Sequence, residues 1–140
     1  MTEIAILGFG VVGGGIAEAL TENRSVIEQK LGERVKLTRI LDLRDFPDSP
    51  FGAMVTHKFT DILNDGGISV VAETMGGSHP AYEYTKALLE AGKHVVTSNK
   101  EVVANFGAEL LQIAAAHGVR YLFEASVGGG VPIIRPMVND

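Results

Sequence analysis

The hexapeptide Gly8-Phe9-Gly10-Val11-Val12-Gly13 follows directly on the apolar run Ile4-Ala5-Ile6-Leu7 and opens a long helical pattern. Glycines at this spacing dictate a local geometry. The first allows a tight turn out of a strand, the second leaves bare backbone, and the third lets the helix pack closely on the strand. The start of the helix then presents N–H groups that have no partner within the helix. A turn of this kind is suited to a pyrophosphate, so a dinucleotide-binding turn is expected. A strand–helix turn with no ligand would explain only one or two of the glycines. Gly14 and Gly15 extend the run into the first helical turn, where each costs roughly 1 kcal/mol against alanine. Close approach by a ligand or a neighbouring backbone would offset that cost.

The remaining chain alternates strand and helix patterns. Residues 3–7 read as a short buried strand. Residues 11–31 read as one helix, with Val12, Ile16, Leu20, Ile27 and Leu31 on one stripe and Gly32 as the stop. Residues 35–42 form the second strand, and residues 43–52 form a loop in which Pro47 and Pro50 exclude regular structure. One helical turn is expected over 61–64, with Asp61 and Asp65 on a solvated face. A strand over 68–74, a helix over 80–91 with Gly92 as its end, and a strand over 94–97 follow. A helical stretch then runs to His117, with an interruption near Gly107, before a fifth strand over 120–124. This alternation predicts a doubly wound parallel α/β sheet of the Rossmann type, in a single domain.

Composition narrows the function. The 140 residues are 46% hydrophobic, enough for one domain with a proper core. No apolar run approaches the roughly 18 residues of a membrane-spanning helix, and the N-terminus lacks a basic n-region, so a cytoplasmic protein is expected. With no cysteine, the chain has no disulfide, thiolate metal site or cysteine nucleophile. The net charge of −5 argues against nucleic acid and anionic membranes as partners. The 17 glycines cluster in the first turn, at Gly76-Gly77 and at Gly128-Gly129-Gly130, as if several loops converge on one ligand.

Four places carry candidate chemistry. Asp42 ends the second strand, where a carboxylate would meet the ribose hydroxyls of a nucleotide lying on the first turn. It lies further from Gly13 than the usual ~20 residues, because the first helix is long. Its charge favours NAD over NADP, whereas Arg44 would suit a 2′-phosphate. Read without a ligand, Asp42 is a solvated strand end. Lys100, in Thr97-Ser98-Asn99-Lys100, lies past the fourth strand at the carboxyl edge of the sheet, where ligands of open α/β folds bind. A lysine there would polarise a reacting carbonyl or put a cation beside it; the alternative is a solvent-facing residue in the first turn of a helix. The segment Glu124-Ala125-Ser126-Val127-Gly128-Gly129-Gly130-Val131 offers backbone carbonyls and a carboxylate to a hard cation, though on spacing alone a plain turn explains it better. His57, His79, His94 and His117 have no metal-ligand spacing.

The glycine hexapeptide, Glu73-Thr74-Met75-Gly76-Gly77, His94-Val95-Val96-Thr97-Ser98-Asn99-Lys100 and the block from Phe123 to Ile134 together resemble homoserine dehydrogenase in order and spacing. The resemblance implies interconversion of L-homoserine and L-aspartate 4-semialdehyde with NAD or NADP, in the biosynthesis of threonine and methionine. It implies that Gly8, Phe9, Gly10, Val11, Val12 and Gly13 bind the pyrophosphate. Thr74, Met75 and Ser98 would lie along the cofactor, and Lys100 would be both a cofactor contact and the catalytic lysine. Glu124, Val127, Gly129 and Val131 would surround a monovalent cation such as sodium. Two features depart from the family. Leu41-Asp42-Leu43-Arg44 places an acid where many members carry an arginine suited to NADP. The substrate-binding domain, with its second catalytic lysine and the dimer contacts, lies beyond residue 140.

The expected division is therefore a dinucleotide-binding domain over 1–130 and the start of a connection over 131–140. The resemblance implies that the chain is the cofactor half of a homodimeric enzyme and is expected to be inactive alone. Two other readings compete. One is the cofactor domain of another dehydrogenase or reductase, similar to dihydrodipicolinate reductase or aspartate dehydrogenase; aspartate-semialdehyde dehydrogenase would need a nucleophilic cysteine. The other is a nucleotide-sensing module, which has no use for Lys100 or the Glu124 loop.

Overall fold

A computed structural model describes residues 1–127 and 131–136 of the chain, with side chains placed through Phe123. The strands are β1 (Thr2–Leu7), β2 (Val35–Leu41), β3 (Val55–Thr56), β4 (Ile68–Glu73), β5 (His94–Thr97), β6 (Tyr121–Val127) and β7 (Val131–Pro136). The helices are α1 (Val11–Glu22), α2 (Arg24–Leu31), α3 (Thr60–Leu63), α4 (Ala81–Glu90) and α5 (Lys100–Ala116). The described strands make one sheet in the order β3-β2-β1-β4-β5-β6-β7, all parallel except β7, which pairs antiparallel on β6. This is the doubly wound sheet the alternation predicts. The chain order reverses between β1 and β4, and that switch point opens a crevice at the carboxyl ends of the strands.

The two faces of the sheet are buried differently. Val71 and Val95 point to one side, where Leu88 and Leu89 of α4 and Leu110 and Ala114 of α5 cover them. Ile6, Ile40 and Ala72 point to the other, against Ala17 of α1. Because both faces are covered, β1 reads as a continuous apolar run rather than an alternating one.

Several elements differ from the sequence pattern, each for a local reason. The helix expected over 11–31 is two helices that meet at Asn23, which has φ −107° and ψ 20°. The proposed stripe fails at both ends, with Val12 47% and Leu31 62% exposed. The buried residues of α1 are Gly13 and Ala17, small side chains that let the helix sit close to the sheet. Gly32 does end α2, in the left-handed conformation (φ 69°). Gly107 does not interrupt α5; it is buried, and the helix runs through it. Two short elements escaped the pattern: a 3₁₀ turn at Gly52–Met54 and the two-residue β3, both too brief to show periodicity. The fifth expected strand is β6, longer than its apolar run and continued by pairing with β7. Asp61 and Asp65 do not share a solvated helix face. Asp61 is exposed on α3, as expected, and accepts from the Thr56 hydroxyl, but Asp65 lies half-buried after the helix and accepts from the Gly67 N–H at 2.9 Å.

The carboxyl ends of the strands are tied to one another by backbone bonds. Gly8 N–H donates to Leu41 O (2.8 Å), Thr74 N–H to Leu7 O (2.9 Å), and Ser98 N–H to Glu73 O (3.1 Å). Each strand thus holds the turn that follows its neighbour, and the three turns are presented together along one edge.

Candidate functional site

A cavity of about 560 Å³ lies at that edge, walled by the turns after β1, β2 and β4. Gly8, Phe9 and Gly10 contribute from the first turn, Asp42 and Arg44 from the second, and Thr74 and Met75 from the third. Seven of the sequence-predicted site residues therefore share one cavity wall.

The glycine turn is built as its spacing requires. Gly8 takes φ +91°, a left-handed conformation that side chains resist. A Cβ on Gly13 would lie well inside contact distance of the Gly8 carbonyl oxygen and 2.9 Å from Thr74 Oγ1. A Cβ on Gly10 would meet nothing within 4 Å among the described residues. Gly13 is therefore needed for packing, whereas Gly10 borders open space. No atom lies within 4 Å of a Cβ on Gly14 or Gly15 either, so no neighbouring backbone of the described chain accounts for them. Helix α1 starts with no side-chain cap and no acidic residue in its first turn, which leaves its N-terminal N–H groups and dipole available to an anion. Val11 and Val12 stand in this first turn, exposed at 94% and 47%.

Thr74 has a structural task as well as a place on the wall. Its hydroxyl lies 2.8 Å from both Leu7 O and Gly8 O and donates there, fastening the β4 end to the glycine turn.

Asp42 is held by four donors. Phe9 N–H reaches Oδ2 at 2.9 Å and Arg44 N–H reaches Oδ1 at 2.9 Å; Arg44 Nε and a terminal guanidinium nitrogen each bind one oxygen at 3.0 Å. The Arg44 side chain, opposed by burial and aided by the two backbone N–H groups, pulls the Asp42 carboxyl down to about 2. Asp42 is thus charged at neutral pH and is not the bare strand end of the ligand-free reading. The guanidinium also lies 5.1 Å from the centre of the Phe46 ring. Phe9 packs edge-on against Phe46 (4.9 Å) and Phe51 (6.0 Å), which fixes the loop after β2 against the glycine turn.

Lys100 and Ser98 are placed differently. Lys100 is the first residue of α5 and exposed, and Ser98 is half-buried in the turn before it; neither lines the cavity. Of the proposed cation ligands, Glu124 and Val127 lie on the β6 backbone and Val131 on β7, with Val127 paired to Val131. Gly129 lies outside the described residues.

Sequence reasoning missed several wall residues. His57, bonded to Asp45 at 2.8 Å, directly follows β3, Pro80 directly precedes α4, and Tyr84 lies near the start of that helix. Nothing local marks them; only the folding of β3 and α4 onto the crevice brings them in. Two buried polar residues behind the wall were also missed. Glu73 is 0% and Asn99 5% exposed. A charged residue closing an apolar strand, and an asparagine just before a helix, are the signals that could have found them.

A family profile described as "Homoserine dehydrogenase, NAD binding domain" matches residues 8–124. Homoserine dehydrogenase from Lactococcus lactis is 37% identical over 98% of this chain and 33% of the relative. The enzyme from Neisseria gonorrhoeae is 36% identical over 96% of this chain and 31% of the relative. A crystal structure of S. aureus homoserine dehydrogenase at pH 6.0 superposes with a TM-score of 0.81 at 34% identity, covering 91% of this chain and 34% of that one. The chain spans about a third of the length of the curated relatives it matches.

Proposed function

Because the chain belongs to the homoserine dehydrogenase family through that family's NAD-binding domain, we propose that it is the cofactor-holding part of an oxidoreductase acting on L-homoserine and L-aspartate 4-semialdehyde. The observation that carries this reading is the open space at Gly10 beside an uncapped helix start, within a cavity walled by the turns after β1, β2 and β4. The residues fit the group. The pyrophosphate would lie over Gly10 against the N–H groups at the start of α1, with the adenosine ribose toward Asp42 and the nicotinamide toward Met75 and Lys100. When bound, NAD supplies the hydride acceptor for the carbon of homoserine that carries the hydroxyl.

The chain's own residues bind and orient. Gly8, Phe9, Gly10, Val11, Val12 and Gly13 form the phosphate turn, and Thr74 holds it to β4. Met75 and Ser98 flank the nicotinamide end. Lys100 stands at the start of α5, where its ammonium would steady the negative charge that develops on the substrate oxygen as its proton leaves. Homoserine itself would be held by a domain outside this chain, so the division at 1–130, with a connection starting at 131, belongs to this proposal. A monovalent cation such as sodium would sit where β6 and β7 meet, among backbone oxygens of Glu124, Val127, Gly129 and Val131. The enzyme is proposed as a cytoplasmic homodimer in threonine and methionine biosynthesis.

Asp42 supports NAD over NADP. Its charge repels a 2′-phosphate, and Arg44, the residue able to receive that phosphate, is already engaged by Asp42 and Phe46. A ribose hydroxyl would take one of the acceptor positions that the guanidinium now fills. Titration calorimetry with NADH and NADPH tests this. The chain should bind NADH more tightly, and Asp42→Ala should narrow the difference. Equal or reversed affinity in the wild type would transfer the selecting role to Arg44.

A further inference from the structure

Glu73 closes β4 and is completely buried, yet no cationic side chain pairs with it among the described residues. Burial therefore pushes its carboxyl up from the ordinary glutamate range, opposed by hydrogen bonds from Thr97, Met75 and Asn99. A buried carboxyl without a counter-charge is costly, and an apolar side chain of the same shape would suit this interior better. What the carboxyl does instead is join two turns. Oε2 accepts from Met75 N–H at 2.8 Å, in the turn after β4 that walls the cavity. Oε1 accepts from Thr97 Oγ1 at 2.9 Å, and Oε2 also receives Asn99 Nδ2 at 3.4 Å, both from the end of β5.

Asn99 completes the connection. Its Nδ2 donates to Met75 O (3.0 Å) and Gly77 O (2.7 Å), its backbone N–H donates to Thr97 Oγ1 (3.0 Å), and its Oδ1 caps α5 by accepting from Val102 N–H (3.2 Å). The residue after this cap is Lys100. The buried Tyr121 hydroxyl has its proton held more firmly by burial and then by the nearby Glu73 carboxylate, with Thr97 opposing. Glu73, Thr97 and Asn99 are all buried, and in such surroundings each hydrogen bond fixes geometry more strongly than it would in water.

We propose that Glu73 is a positioning residue for Lys100: its buried carboxyl group locks the turn after β4 to the turn after β5, and so fixes where α5 begins relative to the cofactor wall. This rests on the reading of Lys100 as the lysine at the nicotinamide. Glu73 touches neither cofactor nor substrate and acts through Met75, Thr97 and Asn99.

The test compares wild type with Glu73→Gln, Glu73→Ala and Asn99→Ser in this chain. Glutamine can turn its oxygen toward Met75 N–H and its amide toward Thr97 Oγ1, so it retains the lock. Serine keeps a cap for α5 but has no carboxamide to span the turns. Two readouts are taken with NADH at saturation: hydrogen exchange by residue, and reductive methylation of Lys100. In the wild type and Glu73→Gln, NADH should protect Lys100 from methylation about tenfold or more, as for a site whose opening is suppressed. In Glu73→Ala and Asn99→Ser that protection should fall to about twofold or less, while NADH affinity changes by less than about threefold. Exchange should quicken at 75–77 and 98–102 and stay unchanged in β1 and β2. Full protection of Lys100 in both disruptive variants, or exchange that quickens evenly through every strand, would overturn the inference. If Glu73→Ala does not fold, Asn99→Ser decides. A wild type that binds NADH without protecting Lys100 would instead refute the placement of Lys100, and the positioning role with it.

Discussion

Replacing Gly13 by alanine and replacing Gly10 by alanine should have opposite consequences, although both residues belong to one glycine turn. At Gly13 the new methyl would press into the Gly8 carbonyl and against Thr74 Oγ1. The first obstacle is backbone and the second is tied to Leu7 O and Gly8 O, so neither can yield cheaply. Over-packing of this kind costs about 1–3 kcal/mol, and a backbone obstacle favours the upper end. Alanine regains up to about 1 kcal/mol of helix propensity. The net loss is therefore about 2 kcal/mol, which lowers Tm by about 8 °C in a domain of this size. At Gly10 the backbone is extended (φ −91°, ψ −150°), a conformation alanine accepts, and its methyl meets nothing. The cost there is the loss of a good N-cap residue, roughly 0.5–1 kcal/mol. The methyl would, however, stand where the pyrophosphate must lie, and NADH affinity should drop about tenfold or more, at least 1.4 kcal/mol. Thermal melts followed by circular dichroism and NADH calorimetry on both variants decide the matter. A Gly13→Ala protein that melts within about 4 °C of wild type, or a folded Gly10→Ala protein that binds NADH normally, would refute this division of labour.

Other outcomes follow from the same geometry. The lowered Asp42 carboxyl stabilises the fold above its unfolded value of 3.8, and that contribution is lost as pH falls through about 2. With Arg44 largely exposed, screening leaves it on the order of 1 kcal/mol, and Arg44→Ala should flatten the acid limb of an acid-unfolding curve to match. Glu73 acts with the opposite sign: its stability contribution is complete below the unfolded value and is lost as pH rises through the elevated folded one, so Glu73→Gln should gain on wild type between acid and neutral pH. Lys93, 4% exposed, donates to Asp65 O (2.6 Å) and Ile68 O (2.7 Å); Lys93→Met should remove both bonds, leave Asp65 O to the Ile68 N–H, and cost about 2 kcal/mol in denaturant melts without altering NADH affinity. If the proposed function holds, Lys100→Ala, assayed together with the proposed substrate domain, should lower kcat/KM for homoserine oxidation by roughly 10²–10⁴-fold, with a much smaller change in NAD affinity. Near-normal turnover would make Lys100 a solvent-facing helix residue.

The parts of the fold that were legible in the sequence are those set by local chemistry. Gly8, Gly10 and Gly13 announce the turn because only glycine suits a positive φ, a bare backbone and a close helix contact in one hexapeptide. Asp42 is legible because the carboxyl ends of strands in such a sheet face its ligand, whereas Thr74 enters only through the family resemblance. What the sequence hid depends on partners distant along the chain. The break at Asn23 carries no proline or glycine, so periodicity runs straight through it. Val55–Thr56 becomes a strand only because Ile40 and Leu41 lie beside it. Tyr84 and His57 reach the cavity through α4 and β3, whose placement no local pattern encodes. Glu73 and Asn99 stand inside the blocks that carry the family resemblance, but their bond across 26 residues exists only once β4 and β5 are neighbours.

The central claim, that this chain holds NAD across the glycine turn with Lys100 at the nicotinamide end, is tested most directly by titrating isotope-labelled chain with NAD and NADH and following the backbone amides by NMR. The account predicts one saturable set of shifts covering Gly8 to Gly13, Asp42 to Arg44, Thr74 to Gly76 and Asn99 to Lys100, with amides on the opposite edge of the sheet unmoved. No saturable shift, or saturable shifts that leave the glycine turn untouched, would contradict it.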